Sequence, residues 1–153
     1  ESAYLESVGS HANGIIVATE FVVGTKGDEI NAKYNEKYGE DFNGHSAEAY
    51  TTTWVIIDAL KSIVDNGDEI SRETIQQALK DIEISETFSN GNEIILPYDT
   101  ISFEEDEFNG MPYLNQNLNA TLTVTQITDG STYTPIWPYD IAQAEVVYPA
   151  TYE

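Results

Sequence analysis

Cysteine is absent from the 153 residues, which removes both a disulfide framework and a thiol nucleophile. Histidine is nearly absent. His11 and His45 lie 34 positions apart, and two histidines without a cysteine speak against a zinc site. Ser10 and His11 are sequence neighbours, a poor geometry for a serine-base pair, and no nucleophile-elbow pattern occurs. Basic residues are scarce as well: six against 27 acids, a formal charge of −21. All six (Lys26, Lys33, Lys37, Lys61, Arg72, Lys80) precede residue 81, in a half that carries 14 acids, whereas residues 81–153 carry 13 acids and no base. Nucleic-acid affinity rests on Lys and Arg neutralising phosphates, so this surface excludes nucleic acid as a partner. Anionic membrane surfaces are excluded on the same ground. No signal peptide and no apolar run of membrane-spanning length occurs. The opening at Glu1 without Met is read as a mature or trimmed piece.

What is present argues for a packed core. Hydrophobic residues make up 41% and aromatics 11%, too many for an acidic disordered chain, and the length suits one core. "GIIVATEF" (14–21) holds a short β-branched run bounded by Gly14, read as a strand buried on both faces, as in a parallel sheet covered by helices. "KGDEINAKYNEKYG" (26–39) reads as a helix with Asp28 and Glu29 in its first turn, Lys37 in its last and Gly39 as the stop. "SAEAYTTTWVIIDALKSIVDNG" (46–67) reads as a long helix capped by Ser46, with Tyr50, Trp54, Ile57, Lys61 and Val64 on its apolar face and Ala49, Ile56, Leu60 and Ile63 widening it. A further helix over 71–83 has Ser71 as its cap and Ile75, Ala78, Leu79 and Ile82 as its stripe. Later residues change style, with a short strand near 99–103 and a hairpin turning at Asp129 and Gly130 between alternating runs.

The acidic "FEEDEFNG" (103–110) invites a calcium reading. Counted from Glu105, an EF-hand-type loop finds Glu107, Asn109 and Gly110 in register. Position 12 is then Gln116, which supplies no bidentate carboxylate, and Pro112 intrudes. A solvated acidic turn leaving a strand is the better reading, as a helix-helix turn is for "DNGDE" (65–69). "GTKG" (24–27) lacks the order of a phosphate loop. The carboxylates neither support nor exclude a glycosidase, since spacing in sequence fixes no distance in space. No feature speaks for an enzyme, and no cofactor is expected. Among the aromatics, Trp54 reads as core. Phe21 closes a strand, where α/β sheets place ligands just beyond the carboxyl ends.

The series of segments resembles a family, the type I periplasmic binding proteins of the branched-chain amino-acid transport group. "GIIVATEF" with "INAKYNEKYGEDF", then "SAEAYTTTWVIIDALKSIVDNGDEISRETIQQALKDI", then "TISFEEDEFNG" and "VTQITDGSTYTPIWP" follow the order and spacing of its blocks from about residue 13 to 138. Residues 84–100 are longer and more polar than that pattern, and "YDIAQAEVVYPATYE" has no counterpart in it.

The resemblance implies an α/β fold made of Rossmann-like lobe elements of a type I periplasmic-binding-protein fold. The chain would be incomplete, the C-terminal part of a two-lobed protein. Residues 1–45 would belong to the second lobe, 46–117 to the first, and 118–153 to a crossover strand and the return to the second. A crossover near 40–46 would use Gly39, Asn43 and Gly44 as flexible backbone. The implied function is an extracytoplasmic solute-binding protein, periplasmic or a cell-surface lipoprotein, that passes an amino acid or similar small molecule to the permease of an ABC importer. The ligand-binding residues implied are Thr19, Glu20 and Phe21 at the strand end, with Glu20 facing an ammonium group, and Tyr50 near the crossover. Exposed sheet edges would favour self-association. Two other readings stay open: a ligand-sensing extracellular domain of a receptor, and a secreted carbohydrate-binding or glycoside hydrolase module built on the aromatics and carboxylates.

Overall fold

Side-chain caps decide where two of the helices begin. In the computed structural model, which describes residues 2–148, helix α1 (Ser2–Val8) runs into a 3-10 turn (Gly9–Ala12) and then strand β1 (Ile16–Thr19). Helix α2 (Asp28–Tyr38) carries Asp28 and Glu29 in its first turn and Lys37 in its last, and Gly39 ends it in the left-handed conformation at φ 79°. Helix α3 (Gly44–Asp65) starts at a capping box. Asn43 Oδ1 accepts from Ser46 N at 3.0 Å, and Ser46 Oγ accepts from Asn43 N at 2.8 Å. The cap is therefore Asn43, and Ser46 is its partner three residues on. Helix α4 (Arg72–Asp81) repeats the device with Ser71 and Thr74, the cap expected from sequence.

Among the described residues seven short strands complete a mixed α/β fold. Strands β2 (Glu83–Ser85) and β3 (Thr100–Ser102) pair antiparallel. Strands β4 (Glu104–Phe108) and β5 (Met111–Gln116) form an exposed hairpin. Strands β6 (Thr123–Thr128) and β7 (Thr132–Trp137) form the hairpin expected at Asp129 and Gly130, and β1 pairs antiparallel with β6 to give the order β1-β6-β7. The expectation for β1 is corrected here. It is an edge strand in an antiparallel sheet, not a parallel strand buried on both faces. Among the described residues no helix covers its outer side, and Ile16 is 54% exposed. The acidic run is corrected too. Glu104 to Glu107 lie along β4, whose successive side chains alternate faces, and the turn itself is only Asn109 and Gly110, both at positive φ.

Two clusters hold the chain together. The larger packs α3 against Ile84, Phe88, Ile94, Ile95, Leu96 and Ile101, and takes in Phe21 and Phe42. The smaller joins Leu5 and Ala12 to Ile127, with Val8, Val17 and Tyr133 around them. On α3 the helical rhythm is as expected but the phase differs. Ala47, Thr51, Val55, Ala59 and Ile63 are buried, Tyr50 and Trp54 flank them, and Ile56, Ile57 and Val64 are exposed. Small residues let the helix approach the core segment closely, which the larger apolar side chains would prevent. On α4, Ile75, Ala78, Leu79 and Ile82 are half-buried, as its stripe predicts.

Thr51 is 4% exposed and its Oγ1 makes no hydrogen bond. A buried hydroxyl without a partner carries its desolvation cost uncompensated, so Thr51→Val should stabilise the fold by about 1 kcal/mol. The urea midpoint reads this directly, and an unchanged or lower midpoint would show that the hydroxyl is satisfied in solution.

Beyond β7 the chain returns across the sheet. Gln126 fastens it there, its Oε1 accepting from Val147 N at 2.8 Å and its Nε2 donating to Val147 O at 3.0 Å. The segment from 139 that has no family counterpart is thus described as far as residue 148, and its last five residues lie outside the described residues.

Candidate functional site

At the carboxyl end of β1 the chain turns on two threonines. Thr19 Oγ1 donates to Phe21 O at 3.3 Å and Thr25 Oγ1 to Val22 O at 2.6 Å. The turn drives Phe21 inward to 7% exposure, edge-on to Phe42 with ring centroids 5.8 Å apart. Phe42 is itself fixed by the buried Asn31. Phe42 N donates to Asn31 Oδ1 at 2.8 Å, and Asn31 Nδ2 donates to Asp41 Oδ1 at 3.0 Å. Residues 40–43 are therefore tied to α2 before α3 begins. The flexible backbone expected near 40–46 is instead a pinned connection. Gly39 serves as the helix stop, Asn43 as the cap, and Gly44 as the first residue of α3.

These ties bring three segments around one cleft of about 610 Å3. Thr19, Glu20 and Phe21 supply one wall, Asn43, Gly44 and His45 the second, and Ser131, Thr132 and Tyr133 from the β6–β7 hairpin the third. That volume falls within the roughly 300–1,000 Å3 usual for small-molecule sites. Glu20 is half-buried, and its carboxylate lies against Gly44 so closely that a Cβ there would collide with Oε2. The start of a helix favours a negative charge, because its first backbone N–H groups are unpaired and point outward. His45 is exposed, with Nδ1 3.6 Å from Glu48 Oε2.

Of the four residues expected to bind, Thr19, Glu20 and Phe21 line this cleft, and Tyr50 does not. Tyr50 sits in the core between Phe42 and Phe88, at centroid distances of 6.1 and 6.3 Å, and its hydroxyl accepts from Asn92 Nδ2 at 2.9 Å. Burial pushes its phenol above the ordinary value. Hydrogen bonds with Asn92 and Trp54 oppose that shift, and the charge of Glu93 adds to it. The residues missed in the sequence are those of the second and third walls. The spacing of Asn43 and Ser46 signals a capping box and so a helix start; nothing local signals that Ser131 to Tyr133 come near β1.

A second cavity of about 620 Å3 runs between α3, α4 and β2. Its inner carboxylate is already engaged, since Asp58 Oδ2 accepts from Ser89 N at 3.0 Å, and its Asp81 accepts from Gln77 Nε2 at 2.9 Å. Oδ1 of Asp58 is buried without a partner. The groove follows the seam of a helix pair and lacks the strand-end turn of the cleft. Among the described residues no three His, Asp or Glu side chains converge as a metal set would. No helix among them is long and apolar enough to cross a membrane. The chain matches no protein-family model, and a search of the curated proteins finds no match to it.

Proposed function

We propose that this chain supplies one side of a two-lobed, type I periplasmic-type solute-binding protein that captures an amino acid or similar small molecule for an ABC importer. The observation that carries the reading is the cleft at the carboxyl end of β1, where Thr19, Glu20 and Phe21 meet the start of α3. Three separate segments converge there on one concave surface that combines a carboxylate, hydroxyl and aromatic groups, the usual form of a small-molecule site. The resemblance of the blocks from residue 13 to 138 to that family supports it further. On this reading the protein works outside the cytoplasm, its macromolecular partner is the permease, and no bond in the ligand is made or broken. Capture follows from contacts made only when a facing lobe closes over the cleft, so that ligand shifts the balance toward the closed form.

A thermal-shift screen of amino acids against the product of the complete reading frame tests this. A true ligand at a hundred times its Kd adds about 2.7 kcal/mol, and it is recovered chemically unchanged. Stabilisation by no small solute, or turnover of a bound glycan, would overturn the assignment.

A further inference from the structure

The segment that follows β7 encloses a cavity of its own. Residues 138–144 turn back on the strand, with Ile141 N donating to Pro138 O at 3.2 Å and Gln143 N to Pro135 O at 2.8 Å. The far end is fastened by the two bonds between Gln126 and Val147, so the segment is held at both ends before any ligand arrives. Beside it lies a space of about 780 Å3 that shares no lining residue with the cleft at β1. Trp137 and Tyr139 line this space, Ala142 and Ala144 leave it open by their small size, and Gln143 and Glu145 bring polar groups to it.

Both rings are uncovered: Trp137 is 41% exposed and Tyr139 85%. Exposed apolar surface rimmed by polar residues marks a place of binding. Among the described residues the Trp137 indole N–H, the Tyr139 hydroxyl and the Glu145 carboxylate make no hydrogen bond. Together they offer a donor, an acceptor and a group that is both, beside two aromatic faces. A pyranose ring is the complement of that set. It has a face of C–H groups that an aromatic ring attracts, and hydroxyls that each donate and accept. No lining residue is Lys or Arg, and residues 81–153 contain 13 acids and no base, so sugar acids and sugar phosphates are repelled.

From these observations we infer that the cavity beside β7 is a second binding site, which holds a neutral sugar unit of an oligosaccharide stacked on Trp137 and Tyr139 and hydrogen-bonded by Glu145. Glu145 is the single acid in the lining, and hydrolysis of a glycosidic bond takes two carboxyl groups, so the sugar is held and not cleaved. The site needs no facing lobe, and it stands whether or not the β1 cleft takes an amino acid.

Backbone amide NMR on this chain, titrated separately with cellotriose, mannotriose, chitotriose and choline, tests the site and detects weak binding. At least one trisaccharide is expected to give saturable shifts confined to residues 136–146 and the Trp137 indole N–H. Tyr139 lies outside the strands, so Tyr139→Ala leaves the fold intact and should weaken that trisaccharide about tenfold, the loss of one stacked face. Trp137→Ala should weaken it at least as much. Glu145→Gln keeps an acceptor for a sugar hydroxyl while removing the charge, so it should weaken a neutral sugar by only about threefold. A saturable choline response at the same residues that is lost in Glu145→Gln, with every trisaccharide silent, would overturn the inference in favour of a cation site. Silence of all three trisaccharides at residues 136–146, sugar shifts centred on the β1 cleft, or unchanged affinity in both aromatic variants would overturn it as well. The amino-acid screen of the β1 cleft is read separately, so the two readings fail independently.

Discussion

Phe88→Ala is expected to destabilise the protein by about 3–5 kcal/mol. Phe88 is 3% exposed and packs on two aromatic rings of α3, stacked at 26° on Trp54 with centroids 6.2 Å apart and edge-on to Tyr50 at 6.3 Å. It reaches them from a loop that holds its own shape. Phe88 N donates to Asn92 O at 2.8 Å, Gly91 N to Phe88 O at 2.8 Å, and Ser89 N to Asp58 Oδ2 at 3.0 Å. Truncation removes the ring from the middle of the larger core and cannot be answered by collapse, because the loop is fastened on both sides. Trp54 should report the change by a red-shifted emission as water reaches it. Phe108→Ala, in the exposed β4–β5 hairpin at 59% exposure, serves as the comparison and should cost under about 0.5 kcal/mol. Equal losses at the two positions in urea titrations would mean that residues 86–99 do not carry the core.

That core shows what local pattern reveals and what it hides. Helix starts were legible at Ser71, and nearly so at Asn43, because a cap and its partner three residues on are a local chemical pair. The β6–β7 hairpin was legible for the same reason, since Asp129 and Gly130 both take the positive φ that its tight turn requires. Residues 86–99 were not. Phe88 is separated from the run Ile94, Ile95 and Leu96 by Ser, Asn, Gly, Asn and Glu, a pattern with neither helical nor strand period, and only their fit to α3 makes them core. β1 failed differently. Its β-branched run reads correctly as a strand, but burial is a property of neighbours, and its outer edge has none among the described residues. β4 was hidden by its charge: four acids in a row discourage a strand reading, yet a solvated hairpin tolerates them.

In the cleft, Phe21 was singled out by the strand-end rule, and Thr19 and Glu20 only by the family resemblance; the structure places all three in its lining. Tyr50 was placed by its nearness in sequence to the start of α3. At the sixth helical position after Gly44 its ring packs against the core and lies outside the cleft lining. Ser131 to Tyr133 arrive across more than a hundred residues through the pairing of β1 with β6, for which no local signal exists.

The same long-range approach makes Gly130 the most demanding position around the cleft, and Gly130→Ala should cost about 3 kcal/mol. Gly130 has φ 66°, and a Cβ on it would lie 2.8 Å from Gly9 C and 2.9 Å from Ser10 N. Both neighbours are backbone, so neither can rotate away. The hairpin tip is also tied in place, with Gly130 N donating to Asn13 Oδ1 at 2.6 Å. Relief therefore requires the β6–β7 tip to move off the 3-10 turn, which loosens the small cluster of Leu5, Ala12 and Ile127 and carries the third wall of the cleft with it. Gly24→Ala isolates the collision. Gly24 also has positive φ, 84°, but a Cβ there meets nothing within 4 Å. It should pay only the left-handed backbone cost, about 1 kcal/mol. A urea series on the two variants measures the difference, and amide shifts at residues 131–133 show whether the wall has moved. Should both variants lose the same 1 kcal/mol with the wall unmoved, the hairpin and the 3-10 turn are not in close contact, and the cleft has two walls.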